Sequence, residues 1–192
     1  MDNETIIKEK FINFIIVTKS MNIILPNTYV QTNDKSLIFL LGPIRSAPSW
    51  QDDAIEFIMS YNKDILIANP RRNVNASLQK YVIRGVQTHF DRQRAWEWEY
   101  QDIAARNGVL MFWFPKEANH HCDKSYGLMT SNEFGHRTAV KMFDNTVRLA
   151  IGTDTQFNEW DTFAYDLRRK LPSLYVENTL EDTCKEALRL IL

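Results

Sequence analysis

The sequence has little of the material that builds disulfide-linked, membrane-spanning or polymer-binding proteins. Only two cysteines occur in 192 residues, so no disulfide framework is available and a reducing cytoplasm is expected. Charged and amide side chains interrupt the apolar stretch between residues 6 and 25, and we expect neither a membrane span nor a signal peptide there. The net charge is −1 and no basic block is present, which argues against a nucleic-acid polymer as partner. We therefore predict a soluble cytoplasmic protein with a small-molecule partner.

Several familiar ligand-binding motifs are also missing. No G-x-G-x-x-G follows the first apolar run, and neither a Walker lysine loop nor a G-x-S-x-G elbow occurs. Residues 120–123, His-His-Cys-Asp, carry metal-capable side chains, but adjacent residues cannot all turn toward one ion. No matching pair lies elsewhere at zinc spacing. We therefore predict no metal site and no cofactor.

Five short apolar runs alternate with amphipathic helical segments, which is typical of strands buried on both faces of a sheet. The runs are Leu37–Leu41, Ile65–Ala68, Val109–Phe114, Val147–Ile151 and Leu174–Val176. Such alternation predicts a doubly wound α/β domain with a mostly parallel, five-stranded sheet. We assign residues 36–192 to this domain and residues 1–35 to an N-terminal extension packed on its edge.

The helices are predicted from their apolar periodicity and from their end signals. Ser49 and Thr179 are each followed three residues later by Asp, the pattern of a capping pair before a helix. The predicted helices follow Ser49, span Phe90 to Arg106, Thr130 to Phe143 and Phe157 to Leu171, and follow Thr179.

In sheets of this kind ligands bind outside the carboxyl ends of the strands, which directs attention to Glu133. This residue follows the most apolar run of the chain and lies at the predicted start of a helix, where the helix dipole favours an anion. An anionic nucleophile suits that place. However, Thr130-x-x-Glu133 also fits a capping box, in which the carboxylate only satisfies a backbone N–H.

The preceding helix carries three further acids, Glu97, Glu99 and Asp102. One of them can point at the strand ends while the others stay in solvent. For any single acid, a solvent-facing charge run with the neighbouring tryptophans in the core is the better explanation. One of these acids paired with Glu133 would nonetheless suit glycosidic-bond chemistry, in which retaining enzymes hold two carboxyl groups about 5–5.5 Å apart.

These features form part of an ordered series of short motifs. The series is Ile38-Phe39-Leu40-Leu41-Gly42-Pro43-Ile44, Trp50-Gln51, Asn69-Pro70-Arg71-Arg72, Gln93-x-x-Trp96-Glu97, Phe112-Trp113-Phe114-Pro115 and Asn132-Glu133-Phe134-Gly135. In order and spacing it resembles the nucleoside 2-deoxyribosyltransferase-like family, in particular its Asn-Pro-Arg-Arg branch. The resemblance extends from about residue 37 to the C-terminus.

The resemblance implies a flavodoxin-like fold and an enzyme that acts on N-glycosidic bonds. Glu133 corresponds to the family's nucleophile, which attacks C1′ of a deoxyribosyl group and forms a glycosyl-enzyme intermediate. Gly42, Pro43 and Ile44 correspond to the loop that lines the nucleoside pocket. The family also implies homo-oligomers in which a neighbour completes each pocket.

The family further implies an acid on the preceding helix that assists the leaving base. Counting back from Asn107 selects Glu99, alignment on the Trp-Glu pair selects Glu97, and Asp102 lies one turn further along. The chain has Asn107-Gly108 where the family often has Ala-Asp, and its loop before Glu133 differs. The acceptor, another base or water, therefore stays open.

Each of the other candidate substrate-binding residues has two possible roles. Arg71 and Arg72 could bind a 5′-phosphate or carboxylate, or could pair with nearby acids of the chain. Trp50 and Trp113 could stack a base or could pack in the core. Asn69 could bind sugar hydroxyls or cap the turn before its proline.

Ser131 and Asn132, which directly precede the predicted nucleophile, complete the candidate binding residues. His136 is predicted to lie on the helix surface. The predicted function is cleavage or transfer of the N-glycosidic bond of a nucleoside or nucleotide. Two alternatives are a non-catalytic nucleotide-binding module on the same scaffold and an NAD-type glycohydrolase.

Overall fold

The computed structural model describes residues 21–32, 35–87, 93–121 and 123–191. In these ranges the strands are β1 (Ile23–Ile24), β2 (Thr28–Tyr29), β3 (Leu37–Leu41), β4 (Leu66–Ala68), β5 (Val86–Gln87), β6 (Gly108–Phe114), β7 (Leu149–Thr153) and β8 (Val176–Glu177). The helices are α1 (Trp50–Tyr61), α2 (Gln93–Asn107), α3 (Leu128–Phe143), α4 (Trp160–Lys170) and α5 (Leu180–Ile191). A short 3₁₀ helix spans Gln79–Tyr81.

Six strands form one parallel sheet in the order β1-β4-β3-β6-β7-β8. Its central strands β3, β6 and β7 are buried at every residue, as expected of continuous apolar runs covered on both faces. Without β1, the remaining order is the 2-1-3-4-5 order of flavodoxin-like sheets. The predicted α/β class and mostly parallel sheet are therefore confirmed.

The helices cover the two faces of the sheet in two groups. Helices α1 and α5 pack on one face through side chains such as Ile55, Ile58 and Ala187. Helices α2, α3 and α4 pack on the other face, where Trp96 and Phe134 are among the buried residues. The chain is thus wound on both sides of the sheet. Among the described residues, no helix is long and apolar enough to cross a membrane.

The predicted number of five strands is wrong, because β1 adds a sixth at the edge of the sheet. Ile23 and Ile24 run parallel to β4, and both are fully buried. A separate antiparallel pair joins β2 to β5. Residues 1–20 of the predicted extension, and the predicted helix start at Phe90, lie outside the described residues.

The part of the extension that is described anchors helix α2. The Trp96 indole N–H donates to the Thr28 carbonyl at 2.9 Å, and the Tyr100 hydroxyl accepts from the Val30 N–H at 2.9 Å. Because Trp96 and Tyr100 are both buried, these bonds fix the rotation of α2 about its axis. They therefore decide which side chains of α2 face the rest of the site.

Two of the capping predictions can be compared directly with the helix ends. The Asp182 N–H donates to the Thr179 hydroxyl at 3.0 Å, so the predicted cap of α5 is confirmed. Ser49 is the N-cap residue of α1, but its side chain makes no capping hydrogen bond.

Two glycines give a matched test of the packing. A Cβ at Gly152 would lie against the Thr183 hydroxyl and 3.0 Å from ring carbons of Trp113, whereas a Cβ at Gly135 would meet nothing within 4 Å. We expect Gly152→Ala to lower the free energy of unfolding by about 1–3 kcal/mol through overpacking. Gly135→Ala, within α3, should raise it by about 0.5–1 kcal/mol. Urea unfolding of both variants measures this, and equal effects of the two substitutions would contradict the described packing.

Candidate active site

A cleft of about 620 Å³ opens at the carboxyl end of β3, on the edge of the sheet where ligands of doubly wound folds bind. Its walls come from the loop after β3, the end of β4, one face of α2 and the first turns of α3. The lining residues used below are Gly42, Pro43, Ile44, Arg45, Pro70, Arg94, Glu97, Asp123, Lys124, Tyr126, Gly127, Leu128, Met129, Thr130 and Glu133.

Glu133 lies in the second turn of α3 and not at its start. The helix begins at Leu128 after Gly127, whose φ of 66° is in the left-handed region and whose missing Cβ makes room for the Phe157 ring. Thr130 is therefore inside the helix, and the predicted capping box with Glu133 is wrong. With only 8% of its surface exposed, the Glu133 side chain is directed into the protein where the cleft begins.

Two donors hold one oxygen of the Glu133 carboxylate. Arg94 Nη1 donates to Oε1, and Gln101 Nε2 donates to the same oxygen at 3.1 Å. Among the described residues, no donor contacts Oε2. The carboxylate is therefore fixed through one oxygen, and the other has no hydrogen-bond donor among these residues.

Arg94 links the two acids of the cleft. Its Nη1 also contacts Glu97 Oε2 at 3.1 Å, and its guanidinium lies 5.0 Å from the centre of the Trp98 ring. Since both carboxylates accept from one nitrogen, the two accepting oxygens are at most roughly 6 Å apart, twice a hydrogen-bond length. Glu97 also accepts from Gln93 Nε2 at 2.9 Å.

A second arginine holds Gln101 from the side away from Glu133. Arg137 Nε donates to Gln101 Oε1 at 3.1 Å, and Arg137 Nη1 donates to Asp102 Oδ1 at 2.8 Å. Gln101 is fully buried and Arg137 is 3% exposed. The result is a chain of contacts that runs from Asp102 through Arg137 and Gln101 to Glu133.

Burial raises the pKa of the Glu133 carboxyl above its ordinary value. The hydrogen bond and charge of Arg94, together with the hydrogen bond from Gln101, act in the opposite direction, and the charge of Glu97 adds to the rise. Desolvation is the largest effect, so the folded protein binds this proton more tightly than the unfolded chain does.

The three candidate partner acids lie in different surroundings. Glu97 lines the cleft. Glu99 is exposed on another face of α2 and does not line it. Asp102 is half exposed and pairs with Arg137, so it reaches Glu133 only through intervening side chains. Geometry brings Glu97 alone of the three into the cleft with Glu133.

The Gly-Pro loop lines the cleft, whereas the two candidate tryptophans do not. Trp50 is 2% exposed, and its indole N–H donates to the Pro43 carbonyl at 2.9 Å. Its ring lies so close to Gly42 that a Cβ there would be 2.6 Å from a ring carbon. Trp113 is 6% exposed and belongs to the core on the α1 face. Trp50 therefore packs against the Gly-Pro loop from the core side. Neither tryptophan ring offers a stacking surface in the cleft.

The Asn-Pro-Arg-Arg segment touches the cleft through its proline only. Asn69 is fully buried, and its Oδ1 accepts from the Arg71 N–H at 3.0 Å, which is the turn-capping alternative. Arg71 interacts electrostatically with Asp52. Arg72 donates from Nε to Gln93 Oε1 at 3.0 Å, and Gln93 in turn bonds the Pro70 carbonyl and Glu97. The segment thus supports Glu97 from outside the cleft.

The other candidate residues near Glu133 on α3 do not face the cleft. Ser131 donates to the Gly127 carbonyl at 3.0 Å, and Asn132 is exposed; neither lines the cleft. His136 is exposed and packs its ring against Trp98.

Metal-capable side chains do not cluster in the described part of the chain. No group of three or more His, Cys, Asp or Glu side chains is placed there to hold an ion. Cys122 lies outside the described residues. Cys184 is a free thiol in the core, and burial raises its pKa to about 12.

Three residues of the site, Arg94, Gln101 and Arg137, were not among the predicted ones. A signal for them exists in the sequence: residues 94, 97 and 101 share one face of a helix, and residues 133 and 137 share one face of the next. Whether these two faces contact each other can be predicted only when the rotation of each helix about its axis is known.

Comparison with models of known protein families gives no match for this chain. Comparison with curated protein sequences gives no match either. The site therefore has to be interpreted from its own geometry.

The raised pKa of Glu133 predicts a pH-dependent effect on stability. An acid whose folded pKa exceeds its unfolded value, here near 4.5, destabilises the folded state as pH rises through the window between the two values. Glu133→Gln removes this titration. The unfolding free energy of the variant, minus that of the wild type, should therefore increase from about pH 4 to pH 7.

Urea unfolding across this pH range gives the measurement. Glu99→Gln, on the exposed face of α2, is the matched control for the loss of one negative charge. A difference for Glu133→Gln that is constant or decreases with pH would contradict the assigned environment.

Proposed function

We propose that the protein cleaves or transfers the N-glycosidic bond of a deoxynucleoside, nucleoside or nucleotide, with Glu133 as nucleophile. The observation that carries this proposal is a buried carboxylate that two donors hold through Oε1, while Oε2 has no described donor. A nucleophile needs such a fixed orientation and one free electron pair.

A second carboxylate lies near Glu133, since both accept from Arg94 Nη1. The oxygens of Glu97 and Glu133 that contact Arg94 are at most roughly 6 Å apart. Retaining glycosidases hold their two carboxyl groups about 5–5.5 Å apart, whereas inverting enzymes need about 6.5–9.5 Å to admit a water. The upper limit is compatible with the separation in retaining enzymes, and the shared contact with Arg94 favours Glu97 over Glu99 and Asp102 as the acid nearest to the leaving base.

The size and walls of the cleft suit a nucleoside or nucleotide. Its volume of about 620 Å³ is within the usual range for small-molecule sites. Ile44, Leu128 and Met129 line it and are 39%, 63% and 53% exposed, so they offer apolar surface to a base or sugar. Arg45 and Lys124 add positive charge at the same cleft.

The assignment to the nucleoside 2-deoxyribosyltransferase-like family belongs to the same proposal. Its support is the flavodoxin-like order of five strands, together with the position of the Gly-Pro loop and Glu133 in one cleft. A cytoplasmic homo-oligomer is part of the proposal. The exposed side chains of Met142 and Phe143 at the end of α3 are candidates for a subunit contact.

One observation favours the non-catalytic alternative. Arg94 forms an ion pair with the carboxylate that would attack. A non-catalytic nucleotide-binding protein could have the same ion pair for structural reasons alone. The two functions differ in turnover, since only the enzyme breaks the glycosidic bond.

The direct test is a panel of deoxynucleosides, ribonucleosides, their 5′-monophosphates and NAD, incubated with and without a second free base. We expect the wild type to release or exchange the base of at least one compound. Glu133→Ala and Glu133→Gln should reduce that rate by about 10³-fold or more, since both remove the proposed nucleophile. Chromatography of the products measures the rate and identifies water or base as the acceptor.

Glu97→Gln and Glu99→Gln form a matched pair of controls on one helix. Loss of the acid in the cleft should lower kcat about 10²-fold or more, and loss of the exposed acid should leave it unchanged. Undiminished activity of Glu133→Gln would refute the assignment of the nucleophile. Binding of a nucleotide without turnover over hours would support the non-catalytic alternative.

A further inference from the structure

The buried contacts behind Glu133 give its two oxygens different roles. We propose that Gln101 and Arg137 are positioning residues that hold Oε1 of Glu133, so that Oε2 is the atom that attacks the sugar. This inference rests on the proposed function, and it concerns side chains that lie behind the cleft without lining it.

Arg137 determines which way the Gln101 amide faces. A guanidinium has donors only, so the Gln101 atom that lies 3.1 Å from Arg137 Nε has to be the amide oxygen. The amide nitrogen is then directed at Glu133 Oε1, 3.1 Å away. A flipped amide would place a nitrogen against Arg137 and an oxygen against the carboxylate, and both contacts would be repulsive. Gln101 is therefore fixed as a donor to Glu133.

Arg137 is itself held in a single place. Its Nη1 donates to Asp102 Oδ1 at 2.8 Å, and its guanidinium lies 5.2 Å from the centre of the Trp98 ring. It is also on α3, one turn after Glu133, while Gln101, Asp102 and Trp98 are on α2. The contacts therefore lock α2 and α3 together at the level of the carboxylate.

The two oxygens then differ in the proposed reaction. An electron pair of Oε2 forms the bond to C1′, while the C1′–N bond breaks and its electron pair leaves with the base, which takes a proton from an acid of the cleft or from water. Water or a second base next attacks C1′ and gives its proton to the ionised acid of the cleft or to solvent, while the bond to Oε2 breaks and its electron pair returns to Oε2. In both steps Oε1 keeps its donors, which stabilise the carboxylate when it leaves.

Gln101→Glu is the informative variant because it keeps the shape of the side chain and removes the donor. The new carboxylate can accept from Arg137, so the fold should survive. It also places a second acid against Glu133, in addition to Glu97. The other charged groups of this cleft, Arg94, Arg45, Asp123 and Lys124, stay unchanged.

The expected result is a shift of the acid limb of the pH–rate profile to higher pH by about one unit or more, since a like charge beside a carboxyl raises its pKa. We expect kcat to fall about tenfold or more with little change in KM, because the lost contact acts on the reacting carboxylate and not on substrate binding. Glu99→Gln should change neither quantity. An unshifted acid limb in an active, folded Gln101→Glu variant would overturn the proposal.

A double-mutant cycle tests whether Arg137 acts through Gln101. Gln101→Leu and Arg137→Met each remove one link, and their combination should cost little more than the larger single loss in kcat. Additive losses would show that the two side chains act independently and would contradict the proposed chain of contacts.

Carboxyl carbon NMR of the full chain separates this inference from the proposed function. Glutamate labelled at the carboxyl carbon, with Glu133→Gln used for assignment, reports the Glu133 titration without any substrate. A titration moved to higher pH in Gln101→Glu supports the positioning contacts, even if no compound is turned over and the proposed function fails. An unchanged titration overturns the inference, even if the wild type is active.

Discussion

The structure around the cleft depends on the burial of one carboxylate. An ionised carboxylate that leaves water without partners is strongly destabilising, by several kcal/mol or more. Glu133 is 8% exposed, and one of its oxygens accepts hydrogen bonds from the Arg94 guanidinium and the Gln101 amide. These partners oppose the desolvation without removing it, since the pKa of the carboxyl stays raised. The site therefore holds this carboxyl group in one orientation through one of its two oxygens.

The rest of the fold can be understood as support for this arrangement. Helix α2 has to present residues 94, 97 and 101 to α3 while its other face enters the core. The bonds of Trp96 and Tyr100 to Thr28 and Val30 fix that rotation, which gives the short segment before β3 a role in the site. At the other wall, Gly127 sets the direction in which α3 leaves the cleft.

The main sheet could be predicted from the sequence because its strands are continuous apolar runs, a pattern that depends on no distant residue. The edge strand at Ile23–Ile24 could not, since two apolar residues between turns have no period. The start of α3 was misplaced because Thr130 and Glu133 imitate a capping pair, while the actual start depends on the left-handed Gly127 and its contact with Phe157. The sequence alone does not show which acid of α2 is the partner of Glu133. The choice of Glu97 needs the relative rotation of two helices, and a buried amide such as Gln101 has no charge to mark it as a candidate.

Trapping of a covalent sugar adduct would show directly whether Glu133 is the nucleophile. The protein is incubated with 2′-deoxy-2′-fluoro analogues of the compounds that it turns over, because the electron-withdrawing fluorine slows breakdown of the intermediate. The sample is then quenched in acid, digested and analysed by peptide mass spectrometry. We expect the mass of one glycosyl group on the peptide that contains Glu133, and its absence in Glu133→Gln. A sugar found on another residue, or base release from the analogue with no adduct under conditions that trap one, would contradict it.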